Sequence, residues 1–223
     1  MTPPDKRPQS GLLEFAVPGC KAPLPRCFRN RRQVMWHEML PDGKTMYCQL
    51  NGIGHGPKTF KKYFEDLFVE VEKPGVERLV LDLRWNGGGN TFLNPPLIEG
   101  LIRSSKFRQP GNLFVVIGRN TFSAALNTTD DLERRTTAIL VGEPTSSPPN
   151  FVGESVEVVL PASRWPISIS DLSWQTSFPM DYRVWMTPLL YAPPTAAALR
   201  AHRDPALEAI EDYIQANPVK AVR

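Results

Sequence analysis

The chain has 223 residues, of which 41% are hydrophobic and 22% charged, and its formal net charge is +3. These values are typical of a globular protein, and a chain of this length can bury about 70% of its unfolded surface in one domain. The positive charge is too small and too dispersed to indicate nucleic-acid binding. No apolar run approaches the ~18 residues that a membrane span requires.

The chain begins with a stretch that is rich in proline and arginine. We interpret residues 1–33 as a loosely ordered lead-in and residues 34–223 as the core domain. The basic cluster at 21–32 is interpreted as a solvated arm. The N-terminus has no apolar segment of the signal-peptide kind. The compartment is therefore unknown, either the cytoplasm or, for a truncated chain, an exported location.

The cysteines do not indicate a metal site or a dense disulfide framework, because their number is odd and no C-x-x-C spacing occurs. A bridge between the first two is an alternative for an exported protein. The three are Cys20, Cys27 and Cys48.

Apolar periodicity predicts strands and helices in alternation. Phe60, Phe64 and Leu67, for example, recur at helical spacing, and Pro74-Gly75 ends that helix. Strands separated by helices predict βαβ units, that is, an α/β fold with a mostly parallel sheet flanked by helices. The predicted strands are 45–50, 78–84, 112–118 and 138–142, the helices are 58–73, 95–104, 123–135 and 204–216, and 156–160 with 167–172 forms a hairpin.

Two loops follow predicted strands at the edge of the sheet where ligands bind in such folds. The first is Trp85-Asn86-Gly87-Gly88-Gly89-Asn90. Its bare backbone N–H groups can approach a substrate and stabilise an oxyanion, although a tight strand-to-helix turn would use the same residues.

The second loop is Gly118-Arg119-Asn120-Thr121-Phe122-Ser123, which opens a helix at Ala124-Ala125. A serine at a helix start lies at the positive end of the helix dipole, which favours an anionic state. Serine is also a favoured helix cap, so a purely structural role stays open.

The two loops, in this order and about 35 residues apart, resemble the tail-specific (C-terminal processing) protease and tricorn-core serine peptidases. Further likeness lies in Val141-Gly142-Glu143-Pro144-Thr145, Gly153-Glu154, Leu160-Pro161 and the segment 203–208. The resemblance covers about residues 34–215. It implies a ClpP/crotonase-like spiral core, a nucleophile at Ser123 and an oxyanion hole from the backbone N–H of Gly88 or Gly89 and of Ala124.

The general base is the point at which the chain departs from the family pattern. In the Ser-Lys branch a lysine is expected where this chain has Pro148, and proline cannot accept a proton. The tricorn-like branch uses an upstream histidine and a downstream acid, for which His37 and Asp181 are the candidates. His37 could instead be a surface residue, and Asp181 a turn residue; Glu143 and Glu154 are held in reserve.

The sequence thus favours a serine-type peptidase that hydrolyses peptides or unfolded chains through an acyl-enzyme. A non-catalytic peptide-binding module on the same scaffold is the alternative, motivated by Pro148. A crotonase-like acyl-CoA enzyme is a weaker one, because Ser123 would have no role there. No cofactor, metal or nucleic-acid partner is expected, and a homo-oligomer is left open. The aromatic residues at 165, 174, 178, 182 and 185 are interpreted mainly as core, with the lining of an apolar pocket for a peptide side chain as the alternative.

Overall fold

The computed structural model describes residues 23–218, so most of the predicted lead-in, with Cys20, lies outside the described residues. The strands are β1 (Met35–Met39), β2 (Thr45–Leu50), β3 (Arg78–Asp82), β4 (Leu113–Ile117), β5 (Ile139–Gly142), β6 (Asn150–Gly153), β7 (Val156–Val159), β8 (Pro166–Ile169), β9 (Leu172–Gln175) and β10 (Leu190–Tyr191). The helices are α1 (Phe60–Val71), α2 (Pro95–Arg103), α3 (Ala124–Arg135), α4 (Ala196–Arg200) and α5 (Pro205–Ala216).

The central sheet has six strands in the order β1-β2-β3-β4-β5-β10. From β2 to β10 every neighbouring pair is parallel, whereas β1 is antiparallel to β2 and forms one edge. The predicted α/β fold with a mostly parallel sheet flanked by helices is therefore confirmed. Because β2, β3, β4 and β5 are neighbours in both sequence and space, their carboxyl ends form one continuous edge.

Helices α1, α2 and α3 connect these strands and cover one face of the sheet. Helix α1 begins where the Thr59 hydroxyl accepts a hydrogen bond from Lys62 N, and its buried stripe includes Phe60, Phe64 and Leu67. In β3 the alternating residues Leu79 and Leu81 pack in the same apolar cluster. Apolar side chains that repeat every 3.6 residues in the helix and every 2 residues in the strand therefore face one common core.

The opposite face of the sheet packs mainly against α5. Val80 of β3 and Phe114 of β4 contact a second apolar cluster to which Leu207 and Ile210 of α5 belong. Asp204 caps α5 by accepting from Ala206 N, as expected from its position before Pro205. The sheet is buried on both faces, which explains why its strands read as nearly continuous apolar runs.

A long β-hairpin, here called the arm, comprises residues 150–175. Its base is the antiparallel pair β6–β9, and its outer part is the pair β7–β8, as the sequence predicted. The arm and the loop after it leave aromatic side chains at the surface, among them Trp165, Phe178 and Tyr182. The expectation of a core role was wrong for Trp165, Phe178, Tyr182 and Trp185, which are exposed. Trp174, in contrast, is half-buried and packs against the main apolar cluster.

The last residues of the lead-in, which the structure describes from residue 23 onward, pack against the rest of the domain and do not extend into solvent. Cys27 is a buried free thiol, and burial raises its pKa. Arg26 donates to Glu38 at 2.6 Å, and the guanidinium of Arg31 lies 4.1 Å from the centroid of the Trp85 ring. The solvated interpretation of the basic cluster does not hold for these two arginines.

Candidate active site

The glycine loop follows β3 and is held in place by Asn86, which is fully buried. Its backbone N–H donates to Leu83 O at 2.9 Å, and its side-chain Oδ1 accepts from Gly88 N at 2.9 Å. The Asn86 carbonyl accepts from Phe122 N at 3.1 Å, which ties the glycine loop to the loop that follows β4. Asn86 is therefore the physical link between the two loops.

The glycine loop also forms an isolated parallel bridge between Gly89 and Ile53, which follows β2. Ile53 N donates to Gly88 O, and Asn90 N donates to Ile53 O, both at 2.8 Å. A Cβ on Gly89 would lie 2.1 Å from Ile53 O, and the φ of Gly89 is +136°. Glycine is required here because a side chain would collide with backbone and adopt a strained conformation.

Thr121 fixes the second loop from below. Its hydroxyl donates to Leu83 O at 2.9 Å and accepts from Gly118 N at 3.0 Å, and the residue is fully buried. One side chain thus connects the ends of β3 and β4. The chain then passes Phe122 and reaches Ser123 at the start of α3.

Ser123 adopts an unusual backbone conformation, with φ 53° and ψ −127°. A helix cap normally lies in the extended region and accepts a backbone N–H through its side chain. Ser123 does neither, since its hydroxyl makes no capping hydrogen bond and its φ is positive. Strain of this kind on a sharp strand-to-helix turn is how a nucleophilic serine is displayed in the α/β-hydrolases. The structural alternative for Ser123, an ordinary cap, is not what the geometry favours.

The two loops converge at Ser123. A Cβ on Gly88 would lie 2.5 Å from Ser123 Cβ and 3.0 Å from Ser123 Oγ. The backbone of the glycine loop is therefore in direct contact with the serine side chain. Only a residue without a side chain allows this approach.

Among residues 23–218, the backbone N–H groups of Gly89 and Ala124 at this point have no hydrogen-bond acceptor. Gly89 N is free because the bridge to Ile53 is formed by Gly88 O and Asn90 N, one on each side of it. Ala124 N is free because the first turn of a helix has no intrahelical acceptors. Gly88 N, in contrast, donates to Asn86, so in this conformation it is not a free oxyanion donor.

A small cavity of about 70 Å³ opens beside the Ser123 side chain. Glu154, at the joint between β6 and β7, is the one ionisable side chain of its lining, and its φ of 48° is positive. Sequence reasoning identified Ser123, Gly89 and Ala124 here but did not place Asn127 or Trp174. The lining residues are Gly89, Asn90, Thr91, Phe92, Ser123, Ala124, Asn127, Glu154 and Trp174.

His37 lies within β1, not just before the first strand as the sequence suggested, and it is not part of this lining. Its Nδ1 is 2.8 Å from Tyr63 Oη, and its Nε2 is 3.5 Å from a carboxylate oxygen of Glu70, both on α1. Strand β1 is three strands away from β4, which corresponds to about 14 Å across the sheet. The structure thus gives His37 partners on α1 and does not bring it to Ser123.

Asp181 is likewise engaged elsewhere. Its carboxylate accepts from Ser177 Oγ at 2.7 Å and from the Arg183 guanidinium at 2.8 Å. Hydrogen bonds from Arg183 hold the pKa of Asp181 well below its usual range. The carboxylate is therefore ionised near neutral pH, but its partners are not histidines.

Asp82, the last residue of β3, belongs to a buried structural network. Its carboxylate accepts from Tyr47 Oη at 2.7 Å and pairs with Arg84 at 2.9 Å, and Arg84 also pairs with Asp204 at 2.8 Å. Burial raises the pKa of Tyr47, and the Asp82 charge raises it further. This network anchors the start of the glycine loop on α5.

Within the described part of the chain, no cluster of three or more histidine, cysteine or acidic side chains has the arrangement of a metal site. Helices of the length and apolarity needed to cross a bilayer are not found among residues 23–218.

Comparison with known proteins relates the chain to peptidases by fold. No family model matches the sequence, and no curated protein matches it. A protein of Parabacteroides merdae assigned as a peptidase superposes with a TM-score of 0.63 at 14% identity, over 86% of this chain and 67% of that one. A protein of Bacteroides fragilis assigned as an S41 protease gives 0.53 at 18%, over 82% and 58%. The photosystem II D1 C-terminal processing protease gives 0.51 at 16%, over 79% and 53%.

These identities are low, so the similarity concerns the fold alone. The mainly parallel sheet with flanking helices is similar to the fold of S41 proteases. The chain spans about half to two thirds of the length of the three solved structures.

Proposed function

We propose that this chain is a serine-type peptidase core whose nucleophile is Ser123, with a ClpP/crotonase-like arrangement of the sheet. The observation that carries the proposal is the uncapped, positive-φ conformation of Ser123 in contact with Gly88. The similarity of fold to S41 proteases supports it.

In the proposed reaction the Ser123 oxygen attacks a peptide carbonyl, and its proton passes to a base. The resulting oxyanion accepts hydrogen bonds from Gly89 N–H and Ala124 N–H, a contribution worth about 2.7–4 kcal/mol per donor. The C–N bond breaks, the amine leaves with a proton, and water hydrolyses the acyl-serine ester. The substrate would be a peptide or an unfolded chain.

The base is the open element of the proposal. His37 as base and Asp181 as its orienting acid stay predictions, and both would have to leave the partners that they have here. Glu154 is the ionisable group that already lines the cavity. Single variants of His37, Asp181 and Glu154 distinguish their roles. The residue that serves as base is the one whose removal abolishes the reaction of Ser123 without unfolding the protein.

The decisive experiment is labelling with a fluorophosphonate, which reacts with activated serines. Wild-type protein should be labelled and should hydrolyse unfolded protein, whereas Ser123→Ala should lose both activities and keep its unfolding temperature. Ser105→Ala is a matched control, because Ser105 is an exposed serine that precedes a single 3₁₀ turn, Lys106–Arg108, and makes no capping hydrogen bond. Labelling of Ser123→Ala at the wild-type rate would remove Ser123 from the mechanism.

The second candidate is a peptide-binding module without activity. It is favoured by one observation: the cavity lining contains neither lysine nor histidine. Such a protein would not turn over peptides, and its peptide affinity would survive Ser123→Ala.

A further inference from the structure

The outer part of the arm has one wholly apolar face. In the β7–β8 register Val156 is opposite Ile169, and Val158 is opposite Ile167. Leu160 N donates to Trp165 O at 2.9 Å, which extends the pairing to the turn. Because side chains alternate between the faces of a strand, these six lie on the same side. We call this set the apolar ladder: Val156, Val158, Leu160, Trp165, Ile167 and Ile169.

The opposite face of the same ribbon is different in character. It carries Glu157 opposite Ser168, with Val159 opposite Pro166 nearer the turn. The outer part of the arm thus has one wholly apolar face and one mixed face. Both faces are exposed, and each member of the apolar ladder is between 37% and 72% exposed.

The arm has little to stabilise it as it stands. Its strands β7 and β8 pair with each other and with no other described strand. An isolated two-stranded hairpin is marginally stable in water and needs packing on its apolar face. Against the body of residues 23–218 the apolar ladder finds no such packing.

The size of the apolar ladder fits one occupant well. Its six residues are 37% to 72% exposed and together present on the order of 500 Å², within the range of the largest apolar patch of a monomer. Complete burial of two such faces would cover on the order of 1,000 Å², about the minimum that a specific interface needs.

The charge and geometry of the apolar ladder also suit contact with itself. None of its members is charged, so two copies bring no like charges together. Its middle pair is Val158 and Ile167, and a two-fold axis through that pair would place the same patch of each copy against the other. Contact between the same patch on both copies is what defines a two-fold interface.

We propose that the apolar ladder is a self-association surface, at which the arms of two copies of this chain pack face to face. The two ribbons would lie about 10 Å apart, as packed sheets do. The contact is independent of Ser123 and of any peptidase activity.

The test is sedimentation of the purified chain from about 1 to about 100 µM, because the population of a dimer depends on protomer concentration. Wild type should dimerise over this range. Ile167→Glu, at the centre of the apolar ladder, should weaken the dimer at least about 100-fold, as loss of a central anchor does. Val159→Glu places the same charge on the opposite face, across from Pro166, and should leave the dimer intact.

Val158→Glu on the facing strand is a second variant, and circular dichroism of all three reports whether the fold is kept. A wild-type chain that stays monomeric throughout the range would overturn the proposal. The proposal would also be overturned by a dimer that glutamate substitutions on either face weaken equally, or by one that Ile167→Glu leaves unchanged. Binding of monomeric wild type to phosphatidylcholine vesicles, abolished by Ile167→Glu, would identify a lipid surface as the occupant instead.

Discussion

Replacing Gly88 with alanine is the most direct test of the convergence of the two loops. Gly88 has a φ of +116°, and an added Cβ would lie 2.5 Å from Ser123 Cβ and 3.1 Å from Phe122 O. Neither neighbour is the free end of a flexible side chain. The alanine must therefore distort the glycine loop or push Ser123 out of its position.

The magnitude follows from these two costs. A non-glycine residue in a sparsely populated backbone region costs about 1–3 kcal/mol. Overpacking by one methyl group costs about 1–3 kcal/mol more. We expect a loss of about 3–4 kcal/mol in the free energy of unfolding, which lowers the melting temperature of a domain of this size by about 10 °C. That loss is smaller than the ~5–15 kcal/mol of a typical domain, so the protein should still fold.

The assay combines thermal unfolding with fluorophosphonate labelling of the variant at a temperature where it is folded. Displacement of a reacting group by about 1 Å costs on the order of 100-fold in rate, so labelling should fall by at least that factor. Gly87→Ala is the matched control, because a Cβ at Gly87 meets nothing within 4 Å and its φ is not positive. It should leave stability and labelling close to wild type.

The reasoning is refuted if Gly88→Ala is as stable and as reactive as Gly87→Ala. A destabilised variant that labels at the wild-type rate would separate the two effects. It would confirm the steric conflict and show that the glycine loop does not position the Ser123 hydroxyl.

Two further predictions concern buried charges. Burial raises the pKa of Asp130, so its ionised form is disfavoured in the folded protein, and Asp130→Asn should raise the melting temperature at pH 7. This advantage should shrink as the pH is lowered through that raised pKa, because the wild-type carboxyl then becomes protonated, and an advantage that is independent of pH in melting curves would contradict the account. Asp204→Ala removes the cap of α5 and a 2.8 Å partner of Arg84, so urea unfolding should show a loss of about 3–5 kcal/mol. Glu208→Ala, which breaks only the surface pair with Arg203, should cost no more than about 1 kcal/mol.

The meeting of the two loops was predictable from the sequence because it depends on local patterns. Apolar periodicity identified β3, β4 and the helices between and after them, and parallel neighbouring strands end at the same edge of a sheet. The glycines at 88 and 89 and the serine at 123 follow those strands directly. Their proximity therefore required no knowledge of long-range contacts beyond strand order.

The partners of His37 could not be predicted in this way. Its strand, β1, was not identified, because Met35–Met39 is short and includes two polar residues. Once β1 pairs antiparallel with β2, His37 is fixed opposite Cys48, halfway down the sheet, and faces Tyr63 of α1. A shift of one residue would have turned its side chain to the other face.

Local sequence thus determined the α/β class, the order of strands and helices, and a serine beside bare glycine amides, because side-chain periodicity and turn residues act over a few neighbouring positions. Only the tertiary structure decided the strained conformation of Ser123, the entry of Glu154 into the cavity and the exposure of the apolar ladder. Each of these depends on how segments 30 or more residues apart, or a whole hairpin and the body, are packed in space. Such packing is set by the sum of many contacts, and no short stretch of sequence records it.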